Sequence, residues 1–287
     1  MSITIGSNIS SLKAQRKLAS STGALSATYE KLSSGLRINK ASDDAAGLAI
    51  ADSLKADQAV ATVAIRNAND GISSIAIADG ALSQVSSVLT RLAELAEQSA
   101  NGTYSVDQRS ALQNEFSALG SEIERIANTT EFNGVKLLNG TNTALTLQVG
   151  FDSGSNSQLS IQNVSGTLAS LGLATTGSSS MAYSISGATI EAGQSASRIA
   201  LDAVNNAITS LAATRGNLGA VESRLTVAIN NLEVSKENFA SAESQIRDVD
   251  VASEAAELTR LNILQQAGAS VLAQANQQPG IALTLLG

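Results

Sequence analysis

The sequence predicts a mainly α protein: an elongated rod of long antiparallel helices, with coiled-coil ends and a small β-hairpin region. Three observations carry this. Apolar residues recur at alternating spacings of 3 and 4 over long stretches. Apolar residues make up 43% of the chain and aromatics only 2%. Small aliphatic side chains suit closely packed helices. A middle segment rich in Gly, Ser and Thr shows strand alternation instead.

Taken in chain order, Ile5, Ile9 and Leu12 mark a first helical stripe. Leu18, Leu25, Tyr29, Leu32 and Leu36 mark a second, out of phase with it. Ser42 is expected to cap the next helix, with Asp43 and Asp44 in its first turn, where the helix dipole favours carboxylates. That helix carries a seam through Ala61, Ile65, Ala68, Ile72, Ile75, Asp79, Leu82, Ser86, Leu89, Ala93, Ala96 and Ala100. Asn101-Gly102 ends it. Ser105 and Gln108 fit a capping box for a helix with Leu112, Phe116, Leu119, Ile123 and Ile126 on one face.

Asn133-Gly134 and Asn139-Gly140 are turn signals. Leu145, Leu147, Val149 and Phe151 alternate with polar residues as a strand, and Leu159 and Ile161 supply a hairpin partner across the loop 152–158. A further helix, about 195 to 245, has its seam through Val204, Ile208, Leu211, Arg215, Leu218, Glu222, Leu225, Ile229, Leu232, Lys236 and Phe239. It would be about 75 Å long, too long for a compact globule. Arg215, Glu222 and Lys236 interrupt the seam; they either fix register or turn to solvent. Leu258, Leu261, Gln265, Gly268, Leu272 and Ala275 form a thin last stripe, and short helices of this kind need tertiary packing.

Composition limits the chemistry. The chain has no Cys, no His, no Trp and one proline, Pro279. Zinc fingers, haem ligation and His- or Cys-based catalysis are therefore excluded in cis. No cofactor is expected. Ser10 and Lys13 have an S-x-x-K spacing, but the companion boxes of serine acyl-enzymes are missing, which leaves exposed helix surface. Asp248 and Asp250 lack EF-hand spacing and read as structural or solvated. The net charge of −7 disfavours nucleic acid, and no membrane span is expected. The N-terminus lacks the apolar core of a secretory signal, so the expectation is a cytoplasmic chain or export without a cleaved signal. Six basic residues (Lys13, Arg16, Lys17, Lys31, Arg37, Lys40) against Glu30 face five acidic ones in 243–260 (Glu243, Asp248, Asp250, Glu254, Glu257). Their complementarity predicts pairing of the two ends, weakly, because surface charges each contribute little.

Several long segments then resemble bacterial flagellin. They are SLKAQRKL (11–18), EKLSSGLRINKASDDAAGLAIA (30–51), RNANDGISSIAIADGAL (66–82), LAEQSANGT (95–103), EIERIANTTEFNGVKLLNG (122–140) and the whole run from Glu237 to Gly287. The resemblance implies a structural subunit, not an enzyme, exported unfolded through the flagellar type III channel and assembled into the extracellular filament for swimming. Partners implied are further flagellin subunits, the filament cap, the hook–filament junction proteins and an export chaperone. A hook–filament junction protein is the alternative reading.

On this resemblance residues 1–42 and 247–287 are the two halves of an inner filament-core domain. Residues 43–130 and 195–246 are the rod-domain helices, and 131–194 a small β/variable region with little or no outer-domain insertion. Candidate core-assembly residues are Ile5, Ile9, Leu12, Leu18, Leu25, Leu32, Leu258, Leu261, Leu264, Leu272, Leu283 and Leu286. The resemblance also places a Toll-like-receptor patch at Arg91, Leu95 and Glu115, although Glu97 stands where many recognised flagellins carry an apolar residue. The plant-receptor epitope aligns with 30–51, where Lys40-Ala41-Ser42 reverses the usual order. Thin terminal helices are expected to be disordered in the monomer and to fold on assembly.

Overall fold

The computed structural model describes residues 7–141, 144–162, 164–175 and 178–284, with side chains at 279 and 281–284 excepted. These form α1 (Ile9–Ser34), α2 (Ala45–Ala100), α3 (Val106–Thr129), β1 (Glu131–Phe132), β2 (Val135–Lys136), β3 (Ala144–Gln148), β4 (Gln158–Gln162), α4 (Ile190–Arg247) and α5 (Val251–Thr284). The mainly α class is as the spacing predicts. The chain divides into a terminal unit, 1–58 with 237–287, and a larger unit, 59–236.

In the terminal unit α1 runs antiparallel to α5. Asn8 caps α1, its side chain accepting from Ser11 N at 3.0 Å, which satisfies one orphan amide of the first turn. The same side chain donates to Ala275 O at 2.7 Å, and Ser11 Oγ donates to Asn276 Oδ1 at 2.6 Å. Gly35, at φ 72°, ends α1 in the left-handed conformation that glycine adopts without penalty. The cap of α2 is Asp44, not Ser42: Asp44 Oδ1 accepts from Gly47 N at 3.0 Å, and Leu48 N bonds Asp44 O. Asp43 is diverted into the preceding turn, accepting from Asn39 N and Lys40 N. Those two amides hold its carboxyl below the usual range.

The larger unit has one apolar core shared by residues of α2, α3, α4, the β3–β4 hairpin and the segment after it. On α4 the heptad Val204, Leu211, Leu218, Leu225 and Leu232 is buried. The interruptions behave differently from one another. Arg215 meets Asp79, the polar member of the α2 seam, with Nε–Oδ1 at 2.7 Å and Nη2–Oδ2 at 3.1 Å. This two-point pair fixes the register of the two helices. Glu222 and Lys236 turn to solvent.

The α2 seam needs a correction. Ala61, Ala68, Ile75, Leu82, Leu89 and Ala96 are buried as expected. The alternate positions that bury fully are Ala64, Gly71, Ala78, Val85, Leu92 and Ser99, whereas Ile65, Ile72, Ser86, Ala93 and Ala100 are only half-buried. A helix surrounded on several sides buries a broader face than a two-stranded seam does, and small residues let the neighbours close in. By length and composition alone α2 is long and apolar enough to cross a membrane.

The capping box of α3 forms as predicted, with Ser105 Oγ accepting from Gln108 N and Gln108 Oε1 from Ser105 N. Asn133 (φ 50°) and Gly134 (φ 78°) turn the β1–β2 hairpin, the double positive φ of a type I′ turn. The β3–β4 hairpin forms as the alternation predicts, pairing Leu145 with Ile161 and Leu147 with Leu159, but β3 ends at Gln148, short of Val149 and Phe151, and Phe151 is exposed. The segment after β4 has no regular structure, yet Leu168, Leu171, Leu173 and Ile185 are buried in the core.

Candidate functional site

Pairing of α1 with α5 sorts the candidate assembly residues. Leu25 and Leu261 are buried, and Leu18, Leu32, Leu258 and Leu272 are half-buried. Leu18 Cδ1 lies 3.3 Å from where a Cβ on Gly268 would sit, so glycine lets the helices approach closely there. These residues are occupied within the chain. Ile9 (56% exposed), Leu12 (60%) and Leu264 (43%) are not. Ile263 and Val271, at 60% and 56%, join them although the sequence reading did not single them out. Leu264 and Val271 are one heptad apart and share a flank of α5. Ile5 and Leu286 lie outside the described residues, as does the side chain of Leu283. The pair thus keeps a thin internal seam, with Ser11 and Thr28 among its buried residues, and leaves a second set of large apolar side chains exposed.

The two connections of the terminal unit are tied to each other. Leu36 and Asp248 form an isolated antiparallel bridge. Arg37 N donates to Arg247 O at 2.6 Å and Val249 N to Gly35 O at 3.0 Å. The Arg37 guanidinium donates to Ile246 O at 2.5 Å, at the C-terminus of α4, where the helix dipole favours a cation. The two ends pair, as their complementary charge predicts, but through helix packing and main-chain bonds. Among the described residues no ion pair joins the six bases to the five acids named above: Lys40 pairs with Glu30, Arg260 with Glu257, and Arg247 with Asp52 and Glu243. The one crossing base that engages the other end, Arg37, binds main-chain carbonyls, which no charge pattern reveals.

In the larger unit Arg91 and Glu115 come together. Arg91 Nη2 lies 2.9 Å from Glu115 Oε1 and Nη1 2.9 Å from Glu94 Oε2. The two carboxylates raise the Arg91 pKa further. Leu95, the third residue of the expected patch, is fully buried. At one end of this unit, Arg109 is fully buried. Its Nη1 donates to Ile190 O at 2.6 Å and its Nη2 to Asn101 O at 2.9 Å. It fastens the end of α2, the start of α3 and the start of α4 to one another. Nothing in the spacing of α3 sets this residue apart from a solvated arginine.

Family models give the context for these surfaces. The model of the bacterial flagellin N-terminal helical region matches residues 5–143, and that of the C-terminal helical region matches 201–286. The chain belongs to the bacterial flagellin family. It is 43% identical over 282 residues to the flagellin of Halalkalibacterium halodurans, covering 98% of this chain and 99% of that one. The flagellin of Bacillus subtilis is 40% identical over 302 residues with the same coverage. The flagellar filament 33 kDa core protein of Treponema phagedenis is 38% identical over 290 residues. A putative flagellar hook-associated protein from Vibrio parahaemolyticus shares the fold: TM-score 0.59 over 72% of this chain and all of that one, at 14% identity. Near-full-length likeness to flagellins favours the filament role over the hook–filament junction. This flagellin is a structural subunit of the flagellar filament.

Proposed function

We propose that the α1–α5 pair is the inner, filament-core part of the subunit, and that its uncovered apolar side chains are the contacts through which subunits polymerise. The observation that supports this most is the coexistence of a thin internal seam with the exposed set Ile9, Leu12, Ile263, Leu264 and Val271. A single subunit type stacking through two different faces makes an open, helical assembly. Residues 1–42 and 247–287 form the core domain on this reading, and 43–130 with 195–246 the rod domain around it. The subunit is exported as an unfolded chain, accompanied by a chaperone, and added beneath a cap at an extracellular tip. A Toll-like receptor for flagellin reads the monomer at Arg91 and Glu115, with Leu95 buried.

The test is polymerisation of purified monomer, seeded and followed by electron microscopy. Filaments are expected from the natural sequence, and none from the double variant Ile9→Glu, Leu264→Glu, whose monomer keeps the same helical circular dichroism. Filaments of normal length from the double variant would defeat the proposal.

A further inference from the structure

The chain holds two methionines and no cysteine, and Met181 is the one sulfur among the described residues. It lies in the irregular segment before α4, half-buried and packed against the core of the larger unit. Its seat is a notch on α3 made by Gly120, which is itself buried. A Cβ added at Gly120 would overlap Met181 Cγ and come within 2.9 Å of Sδ. The thioether therefore occupies the space that any side chain at position 120 would need. The neighbouring chain is held by bonds at a few points: Ser178 N donates to Thr175 O at 2.9 Å, Ala182 N to Leu173 O at 2.8 Å, and Ser184 Oγ and Ile185 N to Gln113 Oε1 at 3.1 and 2.6 Å.

We propose that Met181 is an oxidation site, and that converting its thioether to the sulfoxide releases the segment 178–184 from α3. The co-reactant is a two-electron oxidant of the peroxide class. A sulfur lone pair attacks one peroxide oxygen and an S–O bond forms as the O–O bond breaks. The departing hydroxide takes the remaining proton as water. Sulfur loses two electrons and the peroxide gains them. Partial exposure gives the oxidant access. The sulfoxide is polar and larger than the thioether, and on the α3 side the sulfur already sits in the place of a Gly120 side chain. Burying a polar group without a partner is unfavourable, so the segment lifts. Ile185 stays in place, because Ser99 Oγ and Ser197 Oγ both donate to its carbonyl, at 2.6 and 3.0 Å.

The experiment treats the full-length monomer with hydrogen peroxide and reads oxygen incorporation and amide exchange by peptide mass spectrometry. Met181 is expected to gain one oxygen, and amides of 178–184 to exchange about tenfold faster or more. The α3 amides should be little changed, and methionine sulfoxide reductases should reverse the effect. Met181→Leu keeps the packing and should show natural exchange with or without peroxide. Met181→Gln should show fast exchange without any oxidant. Complete sulfoxide formation with unchanged exchange at 178–184 would overturn the proposal. So would a Met181 that stays unoxidised while Met1 in the same sample is fully converted. Should Met181→Leu fail to fold, the time courses of oxidation and exchange in the natural chain still decide, since release must follow oxidation.

Discussion

Replacing Gly187 by alanine is expected to destabilise the larger unit by about 1–3 kcal/mol, the range for overpacking. The new Cβ would stand 2.5 Å from Gly193 N, 2.8 Å from Ala192 C and 2.9 Å from Gly193 Cα. Carbon atoms pack best at about 3.5–4.0 Å, and all three obstacles are backbone of the first turn of α4. That turn has no room to retreat, since a Cβ on Gly193 would itself lie 2.7 Å from Arg109 Nη1. Moving it also pulls Ile190 O from Arg109 and Ser197 from Ile185 O. Hydrogen bonds are each worth about 1 kcal/mol net, which places the loss at the upper end of the range. Gly219→Ala is the matched control. It lies within α4 with nothing inside 4 Å of an added Cβ, and alanine there should stabilise by about 0.5–1 kcal/mol. Urea unfolding of the monomers, followed by circular dichroism at one fixed concentration, reads both. Midpoints that move in opposite directions fit the packing described. A Gly187→Ala midpoint at or above that of the natural chain would refute it.

Ser105→Ala should cost about 1 kcal/mol through loss of the α3 capping box, seen as a lower urea midpoint that Ser105→Asp largely restores. Arg215 holds the Asp79 carboxyl below its ordinary value of 3.8. A depressed carboxylate adds stability above the unfolded value, and that stability is lost as pH falls through the folded one. Asp79→Asn should therefore remove a contribution present at neutral pH and flatten the unfolding curve below about pH 4. With the two side chains 42% and 37% exposed, the effect should stay within about 1 kcal/mol and shrink with salt. Arg91→Ala should lower activation of reporter cells bearing the flagellin receptor without changing the urea midpoint; unchanged activation would remove Arg91 from the recognised surface.

Local physics made much of the fold legible. Seams at 3–4 spacing locate α2 and α4 because such periodicity has no other outlet than a helical face. Ser105 with Gln108, and Asn133 with Gly134, specify their cap and turn from residue types alone. Other features depend on neighbours distant in sequence. Which aspartate caps α2 is decided by Asn39 and Lys40, whose amides capture Asp43 and leave the role to Asp44. Which face of α2 is buried is decided by the packing around it, so Ala64 and Ala78 displace Ile65 and Ile72. Leu168, Leu173 and Ile185 enter the core from an irregular segment that has no period to read. Arg109 is invisible because its partners are carbonyls. Of the proposed assembly surface, Ile9, Leu12 and Leu264 are readable as apolar, but only the partner helix shows which apolar residues remain uncovered.

The bond from Asn8 to Ala275 spans 267 residues of sequence, and this has a kinetic side. Closing so long a loop is entropically unfavourable, and chains whose contacts are distant in sequence fold slowly. Helix α1 can complete its pairing only once the last part of the chain is at hand. On the export route proposed above, a subunit threaded end-first would remain open until its final segment emerges. On that route connectivity alone would delay the closure of the α1–α5 pair.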